Sequence, residues 1–189
     1  DRATLYLADC LDVMASLPDG SIDLIVTDPP FYKVKNLPWD NQWDDPAGFL
    51  AWIARLSKER SRVLAPNGSL YCFASPQMAA RVEVAIGHDF SILNSITWHK
   101  MLGWHRKKSP YDLRAYLRPW ERIVFAEHFD SDKIAIQRAG LRPSAVKSVK
   151  EYEEFRRPFS VSPEVPCTDI WTYPVVKVGG KHPCEKPHE

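Results

Sequence analysis

The sequence lacks several features that would place the chain in a special class. No stretch of 18 apolar residues occurs, which excludes a membrane-spanning helix. The four cysteines form no C-x-x-C pair and lie far apart, which favours reduced thiols over a disulfide framework or a zinc site. An apolar share of 44% and a charged share of 26% exclude wholesale disorder, a collagen-like fibre and a coiled coil.

The chain also begins at Asp1 without an initiating methionine or an apolar signal segment. We therefore expect the sequence to be part of a longer chain. Its 189 residues predict one domain, or one domain with an insertion.

The formal net charge of +1 conceals an uneven distribution of charge. Residues 100–150 contain 12 Lys and Arg against 5 Asp and Glu, whereas the rest of the chain has 13 basic and 19 acidic residues. A basic segment on an acidic body predicts a surface that binds a polyanion, with a merely solvated basic surface as the alternative. The charge alone does not decide between them.

Strand and helix signals alternate along the first two thirds of the chain. Apolar runs predict strands at 22–27, 69–74, 90–98 and 121–127, and helical spacing predicts helices over 45–64 and from 75 to about 87. This order is typical of an open α/β sheet. The run at 22–27 does not alternate, which predicts a strand buried on both faces. The turn at 66–68 is predicted to end the first of these helices, and 129–168 to form a loop-rich insertion or small subdomain.

The sequence Asp28-Pro29-Pro30-Phe31 follows the first predicted strand after Thr27. Ligands of open α/β sheets bind beyond the carboxyl ends of the strands. The prolines fix the backbone and leave carbonyl groups as acceptors, beside one carboxylate and one aromatic face. Such a site suits a planar ligand that bears an amino group. A proline-rich turn capped by Asp28 is the structural alternative.

The same residues resemble motif IV, D-P-P-[YF], of the amino-group DNA methyltransferases, and the D form is more typical of the adenine enzymes. The surrounding chain resembles the β class of that family, in which a strand ends in Asp-Cys, a helix follows, and the D-P-P strand comes next. The resembling segments are 8–31, 39–40, 93–100, 120–127, 169–171 and 181–187, with no counterpart for 129–168.

The resemblance implies an α/β fold with a Rossmann-like S-adenosylmethionine-dependent methyltransferase sheet and an inserted DNA target-recognition region. The implied regions are a catalytic core over 1–99, a DNA-binding and target-recognition region over 100–168, and a return to the core over 169–189. The eight glycines of the chain include no G-x-G pair, so the family's F-x-G-x-G cofactor loop is absent, and we expect it beyond residue 189.

The implied reaction moves a methyl group from S-adenosylmethionine to the N6 amine of an adenine that is flipped out of double-stranded DNA. Asp28 and the Pro29 carbonyl accept the two amine hydrogens, Pro30 completes the motif, and Phe31 stacks on the base. Transfer is direct and in line, without a metal, and rests on positioning and preorganised electrostatics.

The resemblance implies cofactor contacts at Asp9, Cys10, Asp28, His182, Pro183, Lys186 and Pro187. Cations that neutralise phosphates and aromatic rings that stack on bases predict DNA contacts at Lys100, Trp104, His105, Arg106, Lys107, Lys108, Arg114 and Arg118.

Two other interpretations stand beside adenine methylation. One is methylation of the cytosine N4 amine, against which the D-P-P form argues, or methylation of an RNA base. The other is a non-catalytic nucleic-acid-binding partner that keeps the fold without the cofactor loop. The expected setting is a cytoplasmic prokaryotic or phage-encoded protein with no membrane partner; a homodimer and an accompanying restriction endonuclease are compatible with the family.

Overall fold

The computed structural model describes residues 3–100, 118–128 and 168–173. In chain order its elements are α1 (Cys10–Ser16), β1 (Ile22–Thr27), a 3-10 helix (Pro38–Asp40), α2 (Pro46–Val63), β2 (Leu64–Ala74), α3 (Ala79–Ile86), β3 (Phe90–Lys100), β4 (Trp120–His128) and β5 (Ile170–Tyr173). Of the helices in these ranges, none has the length and hydropathy needed to cross a membrane.

The strands of the described residues form one mixed sheet in the order β1-β2-β4-β3-β5. β1 is parallel to β2 and β3 is parallel to β5, whereas β4 is antiparallel to both of its neighbours. Every strand except β4 therefore ends at one side of the sheet, the carboxyl edge, and β4 begins there. The predicted α/β class is confirmed.

Capping and apolar spacing explain why α2 forms. Asp45 caps its amino end by accepting a hydrogen bond from the Gly48 amide at 2.7 Å, and Pro46 occupies the first helical turn. Phe49 and Ile53 are buried one turn apart and pack, with residues of α3, on the first face of the sheet. This face holds the main core.

The second face of the sheet carries an aromatic-rich cluster. Because side chains alternate along a strand, Cys72 of β2 lies in the main core while its neighbours Tyr71 and Phe73 lie on the second face. Tyr71 stacks on Phe125 of β4, with 4.5 Å between ring centroids. The described members of this second cluster all come from strands.

Two expectations for the first strands are wrong. Leu24 and Val26 of β1 are 53% and 63% exposed, so β1 is not buried on both faces. β1 is an edge strand of the described sheet, and no described element covers the face that carries these two side chains. The strand expected before Asp9 is not formed within residues 3–8: this stretch pairs with no described strand, and Leu5 and Leu7 are almost fully exposed.

The turn at 66–68 does not separate α2 from β2 as predicted. α2 ends at Val63 and β2 begins at Leu64, so the turn lies inside β2. The ladder with β1 passes from the pair Ile22–Leu64 directly to Leu24–Ser69, which makes this part of β2 irregular. Of the predicted region 100–168, the described part is Lys100, Thr168 and 118–128, which contain β4. Of the predicted return to the core, the described part is 169–173, so the domain boundaries stay predictions.

Candidate active site

The D-P-P-F segment lies at the carboxyl edge, where β1 ends. Thr27 pairs with Cys72 in the last rung of the parallel β1–β2 ladder, and Asp28 follows Thr27. Asp28 is exposed, Pro29 is buried and Phe31 is half-buried. A buried proline thus anchors a backbone whose carboxylate reaches the surface.

A buried arginine lies beneath this last rung. Arg60 of α2 is 5% exposed; its Nη2 donates to Thr27 Oγ1 at 3.2 Å, and its Nη1 donates to Cys72 Sγ at 3.9 Å. Within residues 3–100, 118–128 and 168–173, no carboxylate forms an ion pair with Arg60. Its described acceptors are a hydroxyl and a thiol, one from each strand of the rung.

The loop that follows the motif is organised by a buried carboxylate. Asp40 is fully buried, and its Oδ2 accepts hydrogen bonds from the amides of Val34 and Lys35 at 2.9 and 2.5 Å. Its backbone carbonyl accepts from the amide of Lys33, which adopts a φ of 52°. In the described part of the chain Asp40 Oδ1 finds no donor. The Asp40 carboxylate therefore joins the two ends of the turn from Lys33 to Asp40.

Aromatic rings fasten the same loop to the start of α2. Tyr32 lies 5.8 Å from Phe49, ring centroid to centroid, and Trp43 lies 5.0 Å from Phe49. The Tyr32 hydroxyl and the Lys33 ammonium both donate to the carbonyl of Asp44, at 3.3 and 2.8 Å. The start of the loop at Tyr32 and Lys33 and its end at Trp43 and Asp44 thus contact each other or the first turn of α2.

Arg62 ties α1 to α2 on the approach to β1. Its Nη2 donates to the Met14 carbonyl at 2.7 Å, and its Nη1 donates to Asp19 at 2.6 Å. Hydrogen bonds to Asp19 and to Glu59 raise the pKa of the Arg62 guanidinium above its ordinary value.

Both ends of the predicted DNA-binding segment also lie at the carboxyl edge. β3 ends at Lys100, β4 begins at Trp120, and the Lys100 amide donates to the Pro119 carbonyl at 2.7 Å. The Lys100 ammonium is paired with Glu121 and lies 4.9 Å from the centroid of the Trp98 ring, whereas Arg118 is exposed. The charge of Lys100 is thus engaged within the protein, which leaves Arg118 as the better placed of these two for a phosphate.

The structure places only part of the predicted site. It joins Asp28, Pro29, Pro30 and Phe31 at one edge, and it shows exposed Asp9 capping α1 by accepting from the Leu11 amide at 2.8 Å, with exposed Cys10 beside it. The predicted residues outside the described ranges are Trp104, His105, Arg106, Lys107, Lys108, Arg114, His182, Pro183, Lys186 and Pro187. Among described side chains, no group of three His, Cys, Asp or Glu could hold a metal ion.

Sequence reasoning missed Arg60 and the part that Asp40 plays. The signal for Arg60 is its position on the apolar stripe of α2, four residues after Leu56 and three before Val63. An arginine on a stripe that faces the core needs a partner inside the protein. Asp40 carries no such signal, because its partners are backbone amides.

Comparison with known proteins gives the family. A family model for N6 and N4 methyltransferases, described as DNA methylase, matches residues 22–189. The type II methyltransferase M.BamHI of Bacillus amyloliquefaciens is 27% identical over 187 residues, which cover 93% of this chain and 41% of that protein. The chain therefore spans less than half the length of that relative.

Solved structures give the fold. The PvuII DNA methyltransferase, which is cytosine-N4-specific, matches with a TM-score of 0.56 at 14% identity, over 93% of this chain and 58% of that one. A protein of Thermus thermophilus named a DNA modification methylase, solved with S-adenosyl-L-methionine, matches with a TM-score of 0.50 at 22% identity, over 87% and 66%. The predicted methyltransferase sheet is confirmed, and the match over residues 22–189 shows that the chain belongs to the N6/N4 family of DNA methylases.

Proposed function

We propose that the full-length protein moves a methyl group from S-adenosylmethionine to the N6 amine of adenine in double-stranded DNA. One observation carries the proposal. Asp28-Pro29-Pro30-Phe31 stands at the carboxyl edge with an exposed carboxylate, a buried proline and a half-buried ring. Family membership supplies the reaction class, and this segment supplies the groups that an exocyclic amine needs.

The amine of adenine is a poor nucleophile because its lone pair is delocalised into the ring. The Asp28 carboxylate and the Pro29 carbonyl each accept one amine hydrogen, which favours a tetrahedral nitrogen with a directed lone pair. Proline rings fix φ at both positions after Asp28, so the Pro29 carbonyl is held before the substrate arrives. As the bond from nitrogen to the methyl carbon formed, the sulfur–carbon bond would break with its electron pair passing to sulfur, and the nitrogen would give up one proton to the exposed Asp28 carboxylate, which releases it to solvent.

S-adenosylmethionine, when bound, supplies an electrophilic methyl group on a positively charged sulfur. The described residues fit such a ligand, since Asp9 and Asp28 are exposed carboxylates that attract a cation and accept hydrogen bonds from ribose hydroxyls. Asp9 retains acceptor capacity while it caps α1, because a carboxylate has two oxygens. Cys10, His182, Pro183, Lys186 and Pro187 stay predicted contacts, as the resemblance implies. The Thermus protein solved with S-adenosyl-L-methionine supports this choice.

The target base lies inside the duplex, so it is extruded before reaction, and Phe31 stacks on it. The segment from Lys100 to Arg118 leaves and re-enters the sheet at the edge that carries Asp28, which supports its role in binding the surrounding DNA. A homodimer, an accompanying restriction endonuclease and a cytoplasmic location stay predictions.

Cytosine-N4 methylation is the second candidate, because a cytosine-N4-specific enzyme shares the fold. The amine chemistry is the same for both bases. The D-P-P form of the motif favours adenine by resemblance.

The test incubates the full-length protein with S-adenosylmethionine and mixed-sequence DNA. The DNA is then digested to nucleosides, and methylated nucleosides are identified by mass spectrometry. We expect N6-methyladenine from the wild type, and less than about a tenth of that rate from Asp28→Ala, since preorganised polar contacts are worth roughly a hundredfold or more. Asp23→Ala is the matched control, because Asp23 is an exposed carboxylate on β1, the strand that leads to Asp28.

Each other outcome corrects a separate part of the proposal. N4-methylcytosine overturns the choice of base and keeps the site. Full activity in Asp28→Ala removes the motif from the chemistry. A folded wild type that binds DNA and methylates neither base supports the non-catalytic partner.

A further inference from the structure

We propose that Arg60 is a positioning residue for methyl transfer, which acts by holding Thr27 so that Asp28 and Pro29 stay in register with the substrate amine. The inference rests on the proposed function of the D-P-P-F segment. It concerns a residue of α2 that lies beneath the sheet.

The first argument is the cost of burying this guanidinium. A buried charge without a charged partner is unfavourable, and a guanidinium has five N–H donors to satisfy. Arg60 is 5% exposed, and its described partners are Thr27 Oγ1 at 3.2 Å and Cys72 Sγ at 3.9 Å. An apolar side chain on this stripe of α2 would pack without that cost. The helix dipole favours a cation in this last turn of α2, but by less than the cost of burying the charge, so stability alone does not account for an arginine here.

The second argument is what the prolines remove from the ladder. Pro29 and Pro30 have no backbone N–H, so neither can donate a ladder hydrogen bond that would fix the segment. The last rung is the pair Thr27–Cys72, and Arg60 reaches both of its side chains. The guanidinium thus fixes the final paired residue before the two acceptors of the amine.

The third argument is that Arg60 is shielded from ligands. Its side chain lies within the core side of the sheet, among residues that pack against α2, whereas Asp28 is exposed. A residue so placed affects the reaction through the position of Thr27. We therefore expect its loss to slow the chemical step while leaving the affinities for DNA and S-adenosylmethionine nearly unchanged.

The test measures single-turnover methylation by the full-length protein at saturating DNA and S-adenosylmethionine, together with the binding constants of both. In Arg60→Met and in Thr27→Val we expect the rate to fall between about tenfold and a hundredfold, since a misplacement of about 1 Å costs roughly a hundredfold. Both binding constants are expected to stay within about threefold, because uniform binding is untouched.

Conservative variants separate positioning from general damage. Thr27→Ser keeps the hydroxyl acceptor and is expected to recover most of the rate that Thr27→Val loses. Arg60→Lys keeps a cation with fewer donors and is expected to fall between wild type and Arg60→Met. Arg55→Met makes the same chemical change on the exposed side of α2 and is the matched control. The double variant Arg60→Met/Thr27→Val is expected to be at most about threefold slower than the slower single variant, since both changes break the same contact.

If Arg60→Met does not fold, Thr27→Val against Thr27→Ser still decides the question. The inference is overturned if Thr27→Val methylates within about threefold of the wild-type rate, or if Thr27→Val and Thr27→Ser lose equally. The proposed function survives either result, provided that the wild type methylates DNA. Fully multiplicative losses in the double variant overturn the inference as well. A wild type that methylates no DNA overturns the proposed function, and the inference with it.

Discussion

The backbone amide of Lys100 donates a hydrogen bond to the carbonyl of Pro119 at 2.7 Å, which closes the segment between β3 and β4 at its base. Because β3 ends and β4 begins at the carboxyl edge, this closure lies on the same side of the sheet as Asp28. The two ends of this segment, at Lys100 and Pro119, therefore lie at the carboxyl edge that also carries the proposed site of methylation.

Neutralising Arg106, Lys107 and Lys108 together is expected to flatten the salt dependence of DNA binding. Each phosphate contact releases about 0.9 of a counterion, so the loss of three contacts lowers the slope of log affinity against log salt by roughly two to three. Point charges on phosphates carry little sequence information, so cognate and unrelated duplexes are expected to weaken alike. Titrations of both duplexes at several salt concentrations measure the effect.

The matched control neutralises Arg55, Lys58 and Arg81, which are exposed on α2 and α3. Its slope is expected to match that of the wild type. An unchanged slope in the first variant would place the DNA elsewhere on the protein. A loss confined to the cognate duplex would move the three side chains from phosphates to base edges.

Replacing Phe31 by alanine is expected to slow methylation more than replacing it by tyrosine. Stacking on an extruded base needs an aromatic face, which tyrosine keeps, and base–aromatic stacking is worth about 1–3 kcal/mol. Single-turnover methylation rates of the two variants and the wild type measure the difference. Equal losses in Phe31→Ala and Phe31→Tyr would show that the ring does not hold the base.

Removing the Asp40 carboxylate is expected to destabilise the protein and to slow methylation. Asp40→Ala leaves the amides of Val34 and Lys35 without their acceptor, at about 1–3 kcal/mol for an unsatisfied group. Denaturant unfolding and methylation rates measure both effects. Asp40→Asn keeps one acceptor oxygen and is expected to lose less.

Asp44→Ala is the control for that change, because Asp44 lies in the same loop with an exposed side chain and receives its hydrogen bonds on its backbone carbonyl. It is expected to behave as wild type. Equal destabilisation by both alanine variants would mean that the Asp40 carboxylate does not organise the loop.

Gly68→Ala is expected to destabilise the protein by about 1–3 kcal/mol, as overpacking does. A Cβ at Gly68 would lie 2.7 Å from Leu64 Cγ and 2.8 Å from the Ala65 carbonyl oxygen. At Gly48 of α2 the nearest atom is Asp45 Oδ1 at 3.4 Å, so Gly48→Ala is expected to be neutral or to gain up to about 1 kcal/mol from helix propensity. Unfolding curves that rank the two variants the other way would contradict the crowding in β2.

Local signals in the sequence predicted most of the elements. The apolar run at 22–27 has the same bounds as β1, and the spacing from Phe49 to Val63 predicted α2, because both signals depend on neighbours within a few residues. β5 was not predicted, since a four-residue strand exists only through its pairing with β3. The exposure of Leu24 was missed for the same reason: residues distant in sequence decide whether a face of β1 is buried.

The candidate site divides in a similar way. The D-P-P-F segment was visible because its chemistry is contiguous in the sequence. The contact between Arg60 and Thr27 joins residues that are 33 positions apart, and only the packing of α2 on the sheet brings them together. The partners of Asp40 are close to it in sequence. The acceptor role of its carboxylate nevertheless depends on a loop conformation that the residue types do not specify.

The place of β1 as an edge strand has a practical consequence for anyone who expresses a fragment limited to the described residues. Within the described residues β1 has β2 as its strand partner, and its other edge carries main-chain groups beside the exposed side chains of Leu24 and Val26. A strand edge whose main-chain groups lie beside exposed apolar side chains is a template on which a second chain can add a strand. We therefore expect such a fragment to aggregate at high protein concentration. Charged substitutions at Leu24 and Val26, or extension of the fragment, are the direct means to keep it soluble.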